Sequence, residues 1–359
     1  MKKFLIIPFF LLFSLPSQAQ KLKFKYEIPF QYYFDNREMS STGETFTPSM
    51  TIHSAELTPM LGLEVNSSDS ISHLLMIGAA FNHDMGDPSW KDVFDEALAY
   101  YRIKVGTGKG VLEGVAGVYP RSMQEGTYSE LFYSDSLKFY DTAFEGMIVK
   151  WRSPKIYAEF GLDWMGKYGY DSKERFQLFT AGEWKAREWL SLGWSGSFYH
   201  YACSEISKGV VDNHLFEPWI KASLPEGRGG WQELSFSAGL MASYQRDRRL
   251  SESVLNPLGC ELELTAKRWN IMFKNTTYFG DDQMPFYSFS DSAGDKYGHN
   301  LYFGLPFYRD FYNRTEISWA PRITDFISLH IGARLHFGPD GFFGWQQVVS
   351  LSFDLKNRH

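Results

Sequence analysis

The chain has 359 residues, a formal net charge of -6, and 44% hydrophobic and 18% aromatic content. Its Phe 31, Tyr 21 and Trp 11 exclude a disordered or solvating protein. Its Cys 2 excludes a disulfide-dense scaffold and a cysteine-rich zinc module. The acidic balance gives no reason to expect a nucleic-acid partner. One apolar segment is long, and it is the first, so the remainder holds no candidate membrane-spanning helix.

That first segment, Met1 to Ala19, reads as an export signal. Lys2 and Lys3 form the positive start, Phe4 to Leu15 the apolar stretch, and Ser17-Gln18-Ala19 the small-x-small site, with cleavage expected before Gln20. Losing the two lysines takes the formal charge from -6 to -8. Residues 20–359 read as one domain, since neither an internal repeat nor a low-complexity linker interrupts them.

From there the chain alternates. Lys21 to Phe34 puts Phe24, Tyr26, Ile28, Phe30 and Tyr32 on one face and Lys25, Glu27 and Gln31 on the other. Pro154 to Met165 sets Ile156, Ala158, Phe160, Leu162 and Trp164 against Tyr157, Glu159 and Asp163. Phe326 to Phe337 sets Ile327, Leu329, Ile331, Ala333 and Leu335 against Ser328, His330, Arg334 and His336. The last strand sets Val349, Leu351, Phe353 and Leu355 against Ser350, Ser352 and Asp354. A period of two is β-structure.

Soluble β-sandwiches alternate too. Here the strands are about 10 to 15 residues long, against about 5 or 6 in ordinary sheets and roughly 9 to 11 for a tilted strand crossing a bilayer. Trp164, Trp184, Trp269, Trp319 and Trp345 sit near strand ends, as interfacial girdles require. One apolar face per strand must be buried, and lipid around a closed barrel buries it without leaving an edge. The connections alternate as well. Long ones include Asp35 to Ser49, His83 to Asp95, Arg121 to Phe139 and Gly280 to about Phe303; short ones include Asn66 to Ser70, Gly106 to Gly110 and Lys267 to Trp269. The expected fold is all-β: a closed antiparallel transmembrane barrel of about 16 strands, with short turns at one end and long loops at the other.

The signal, the alternating strands and the terminal Gln346-Gln347-Val348-Val349-Ser350-Leu351-Ser352-Phe353-Asp354-Leu355 resemble the outer-membrane β-barrel proteins of Gram-negative bacteria, specifically a porin-sized one. In that family an aromatic usually ends the chain; here Phe353 is followed by Asp354 to His359. The Ala19-Gln20 junction is similar to signals common in Bacteroidota. The resemblance implies an outer-membrane location and partners in outer-membrane lipid, the barrel-insertion machinery and small hydrophilic solutes diffusing passively, carbohydrates among them. It implies no enzyme and no cofactor. The alternatives are a barrel enzyme acting on lipid and a structural or surface-interaction barrel with a filled lumen.

If the apolar face meets lipid, the other face lines the lumen. The expected lining includes Arg102, Lys104, Glu145, Glu159, Asp163, Glu261, Glu263, Lys274, Arg314 and Arg334. Acids gather on the middle strands and bases on the later ones, in arcs expected to face each other across an aqueous channel. In 16-stranded porins the third long loop folds inward. Carried over, Glu125, Glu130 and Asp135 of the loop Arg121 to Phe139 would oppose the basic arc.

Other candidate sites are weaker. Gly106-Thr107-Gly108-Lys109-Gly110 lacks the spacing and the helix of a phosphate loop. His200 and Ser204 could form the base and nucleophile of a lipid hydrolase, but the sequence offers no third group to orient them. Asp84, Asp87, Asp92 and Asp95, and Asp281, Asp282, Asp291 and Asp295, are oxygen-rich without EF-hand spacing, so solvated acidic loops are expected. Cys203 and Cys260 fall three strands apart, about 14 Å, which predicts two free thiols.

Overall fold

The computed structural model describes residues 22–40, 49–89, 91–133, 137–250, 253–297, 307–321 and 323–357. The signal segment, Asp135 and the later part of the seventh long loop lie outside these.

Seventeen β-segments form one closed antiparallel sheet: β1 (Lys23–Met39), β2 (Met50–Leu57), β3 (Met60–Ser68), β4 (Ile71–Asp84), β5 (Phe94–Thr107), β6 (Gly110–Pro120), β7 (Ala143–Arg152), β8 (Ile156–Gly166), β9 (Arg175–Arg187), β10 (Leu190–Tyr201), β11 (Val211–Ser223), β12 (Glu233–Asp247), β13 (Leu258–Arg268), β14 (Ile271–Gly280), β15 (Asp310–Trp319), β16 (Ile327–Gly338) and β17 (Gly341–Lys356). Each pairs with its neighbours, and β17 closes on β1 over Glu27↔Lys356 to Met39↔Gly344. β2 and β3 together make one stave, since both pair with β1 and both with β4. The break falls at Pro59, which has no N–H to give the ladder; its carbonyl still accepts the Ala79 amide at 3.3 Å. The barrel therefore has sixteen staves. With strands about 4.8 Å apart and tilted about 40°, such a ring is about 32 Å across.

Alternation sorts the two faces. Leu61, Ile77, Phe160, Leu240 and Ile317 are among the exposed apolar residues outside, whereas Met76, Glu113, Lys150, Glu159, Gln245 and Arg314 are buried inside. An outward polar patch on β14 and β15 breaks the rule and satisfies itself. Asn275 and Thr277 on β14 meet Asn313 and Thr315 on β15. Asn275 Nδ2 donates to Thr315 Oγ1 at 2.8 Å, and Asn313 Nδ2 donates to Thr277 Oγ1 at 2.7 Å and to Asn275 Oδ1 at 3.1 Å. The threonine hydroxyls donate back to the amide oxygens at 3.0 and 3.2 Å.

Two expectations change here. β1 continues past Phe34 to Met39 instead of turning at Asp35. Asp35 and Arg37 face inward and pair at 2.7 Å, so polar residues extend the strand because its inner face is polar. β7 has the opposite register to that expected. Phe144, Ile148 and Lys150 are buried, while Glu145 is exposed, not lumenal. Apolar residues on both faces of Ala143 to Arg152 had hidden the choice.

Candidate functional site

The walls carry charge in rows. The pairing register sets Lys104, Glu113, Lys150 and Glu159 side by side on β5 to β8. It likewise sets Lys274, Glu316, Arg334, Gln346 and Arg37 on β14 to β17 and β1. Directly opposed residues on paired strands lie about 5 Å apart, so alternating signs let each charge meet its opposite. Glu113 holds Lys150 at 2.7 Å, Lys104 at 3.2 Å and Arg152 at 3.5 Å. Glu316 holds Arg334 at 2.8 Å and His330 at 3.7 Å.

From β6 residues 121–133 reach across the lumen, and residues 137–142 lead into β7. At the exit, buried Arg121 pairs with Asp141 at 2.8 Å and Asp163 at 3.1 Å, and its guanidinium lies 4.0 Å over the Phe144 ring. The loop then fastens to the near wall. Glu159 accepts the amides of Glu125 at 3.0 Å and Gly126 at 2.9 Å, and the hydroxyls of Tyr128 at 2.7 Å and Tyr157. Lys150 holds the Met123 carbonyl and the Glu125 carboxylate, each at 2.9 Å, and Arg152 also grips Glu125. Burial works to raise the Glu125 carboxyl, but the hydrogen bonds from Arg152 and Lys150 outweigh it and hold the group below the ordinary carboxylate range. Burial pushes the hydroxyls of Tyr128 and Tyr133 up, so both stay protonated donors. On the far wall Ser129 Oγ donates to Glu261 at 3.0 Å, and Glu130 pairs with Arg314 and, at 3.8 Å, with Lys274. Lys274 also holds Glu263 at 2.8 Å. The two anchoring walls, β6–β8 and β13–β15, stand nearly opposite each other in the ring.

Toward the long-loop end the lumen is filled. Leu131, Phe132, Tyr133 and Leu137 of the crossing loop pack with Met284, Tyr287, Tyr297 and Tyr308 of loop 281–309 and with wall residues including Tyr199, Tyr278 and Tyr312. A second clasp holds the cover: Asp291 takes Lys173 at 2.7 Å and the Tyr201 hydroxyl at 2.8 Å. Burial opposes ionisation of Asp291, and these bonds with the Ala293 amide outweigh it, so its carboxyl is held low. Toward the short-turn end lies a cavity of about 840 Å³ under the crossing loop, with Arg102, Lys104, Glu113, Glu125, Lys150 and Lys356 among its lining residues.

The sequence-predicted lining divides accordingly. Arg102, Lys104, Glu125, Glu130 and Lys274 line the cavity. Glu159, Asp163, Glu261, Glu263 and Arg314 hold the crossing loop or its immediate partners, and Arg334 sits one strand away on Glu316. Of the two loop acids among the described residues, Glu130 faces bases of the expected arc, Arg314 and Lys274. Glu125 turns to the other wall, where Lys150 and Arg152 interrupt the supposed acidic arc. Those two bases, with Arg121 and Tyr128, were missed. The even-position run Phe144, Gly146, Ile148, Lys150 and Arg152 could have revealed the first two.

The other candidates resolve plainly. His200 bonds Asp212 at 2.8 Å and Ser204 bonds Ser207 at 3.0 Å, so the two do not form a base–nucleophile pair. Asp291 is spent on Lys173 and backbone amides, and no group of three potential metal ligands occurs among the described residues. Cys203 and Cys260 are free.

No family model matches the chain, and no curated protein matches it in sequence. Solved structures do match in shape. Pseudomonas aeruginosa OccK9 (OpdG) is 10% identical over 93% of this chain and 99% of its own, with a TM-score of 0.52. A loop-deletion form of OmpT, an outer membrane protein of Vibrio cholerae, is 10% identical over 94% and 100%, with a TM-score of 0.50. A mutant of Rh. blastica porin is 10% identical over 93% and 100%, with a TM-score of 0.45. At such identity the first two likenesses establish the fold: a closed antiparallel barrel of sixteen strands.

Proposed function

We propose that the chain is an outer-membrane channel for passive diffusion of small hydrophilic solutes, with residues 121–133 as its constriction. The observation that carries this is a loop fastened across a charge-lined lumen, above a cavity of about 840 Å³. Rows of alternating charge suit a hydrated path, because dry charges on the wall would be very costly. The export signal, the apolar outer face and the barrel fold support placement in the outer membrane. Tyr128 and Tyr133 are among the residues lining the cavity, where a sugar ring could stack, so carbohydrates are the solutes to try first.

The buried cluster toward the long-loop end favours a second reading, a barrel whose lumen is closed at rest. Single-channel recording of the folded barrel in a planar bilayer, over a range of salt concentrations, separates the two. Stepwise openings that scale with salt support the channel, and charge reversal at Glu130 or Lys104 then changes ion selectivity. Silence from a folded barrel refutes it.

A further inference from the structure

The outer wall at the long-loop ends of β10 to β12 carries a cluster of charge on a face that is largely apolar. The register sets His200, Asp212 and Arg246 side by side on the three strands. They share the outer face, because alternation sends Tyr199, Asn213 and Gln245 inward, where all three are buried. Asp212 is used twice: it takes His200 Nδ1 at 2.8 Å, and Nε and Nη2 of Arg248 at 3.0 and 2.8 Å. This clasp fixes the Arg248 guanidinium, whose side chain remains 50% exposed. Arg246 forms no ion pair among the described residues, and its Nε is buried without a hydrogen-bond partner. Arg249 follows, exposed, and Asp247 between them is buried on the inner face. Two outward guanidiniums, of Arg246 and Arg248, therefore stand beside one outward carboxylate, Asp212, which holds Arg248 alone, while Arg249 donates to the Ser290 carbonyl.

Aromatic rings fix the height of this patch. One alternation nearer mid-strand His214 packs tilted against Phe198 and stacks on Tyr244, with centroids 5.8 and 5.5 Å apart. Trp164 and Phe176 continue the row of His200 at 5.2 and 5.0 Å. Such rings mark the boundary of the hydrocarbon, just beyond which lipid phosphates lie. Guanidinium forks match phosphate oxygens in both charge and geometry.

We propose that Arg246 and Arg248 clamp the phosphate of an anionic outer-leaflet lipid against this wall. The inference rests on the outer-membrane placement above, and not on channel activity. The test uses the full-length barrel folded in detergent, mixed with diphosphoryl lipid A or with the same lipid stripped of phosphate, and counts bound lipid by native mass spectrometry. The phosphorylated lipid should be retained at least about tenfold over the stripped one. Arg246→Ala with Arg248→Ala should remove that preference, and paired Lys substitutions should keep part of it. Arg268→Ala, on the opposite rim beside Trp269, should leave it intact. Equal retention of the two lipids overturns the proposal. So does an unchanged preference in a double Ala variant that runs as a folded barrel, or full competition by inorganic phosphate at the lipid's own concentration. Cell fractionation tests the placement separately: recovery away from the outer membrane sinks that reading whatever the lipid result.

Discussion

Glu159→Ala removes one near-wall anchor of the crossing loop and leaves the grip of Lys150 and Arg152 on Met123 and Glu125. Three loop donors lose their acceptor: the Glu125 amide at 3.0 Å, the Gly126 amide at 2.9 Å and the Tyr128 hydroxyl at 2.7 Å. A hydrogen bond to a charged group nets about 1.5 to 3 kcal/mol, and water reaching the cavity offsets part of the loss. The expected cost to docking is about 3 kcal/mol, on the order of a hundredfold in the docked-to-free ratio at this end. The far end stays fastened by Glu130 and Arg314. The loop should therefore flicker, not leave. Single-channel traces should gain current noise and larger substates, and limited proteolysis of the folded barrel should cut within residues 121–133 far faster than in the parent. Identical noise and cleavage rate, in a variant with the heat-sensitive mobility of a folded barrel, would refute the anchoring argument.

Gly126→Val should give the same signature by another route, since a Cβ at this position would run into the Ala181 side chain and the Glu159 carboxylate; protease sensitivity reads it. Docking should also depend on acid. The Glu125 carboxyl is depressed in the folded state, so its contribution is complete above the ordinary carboxylate pKa and is lost as pH falls through the lower folded value. Channel noise measured against pH should rise only in strong acid, and Glu125→Gln should show raised noise that no longer depends on this group. On the outer wall, Thr277→Val leaves Asn313 Nδ2 without its 2.7 Å partner in lipid and should cost about 1 to 2 kcal/mol, read by urea unfolding from vesicles. Replacing all four of Asn275, Thr277, Asn313 and Thr315 by Leu or Val should be neutral or stabilising in the same assay.

Much of the barrel was legible because its side-chain period is exact and its two surroundings differ so strongly. Ile156 to Trp164 and Ile327 to Leu335 read correctly since apolar and polar residues segregate cleanly there. β7 did not, because Phe144 and Ile148 face the lumen, where they pack against an inward loop, while Met147 and Val149 face out. Hydrophobicity cannot distinguish lipid from a loop inside the barrel. The end of β1 was lost for the converse reason: Asp35 and Arg37 look like loop residues until a polar lumen is available to receive them. The loop's far anchor lies beyond local pattern altogether. Ser129 and Glu261 are 132 residues apart, and only ring closure brings them together.

The fastening of residues 121–133 to opposite walls has a mechanical consequence. An empty ring of sixteen strands flattens easily, since hinging between strands bends only hydrogen bonds. A tie from Glu159 to Glu261 and Arg314 acts as a cross-brace on one diameter. Squeezing along that diameter compresses the brace, and squeezing at right angles stretches it, so the section stays round under lateral membrane pressure. On the proposed channel reading, solute passage and the roundness of the wall then depend on the same few bonds. A variant that frees the loop should yield a softer barrel as well as a noisier one.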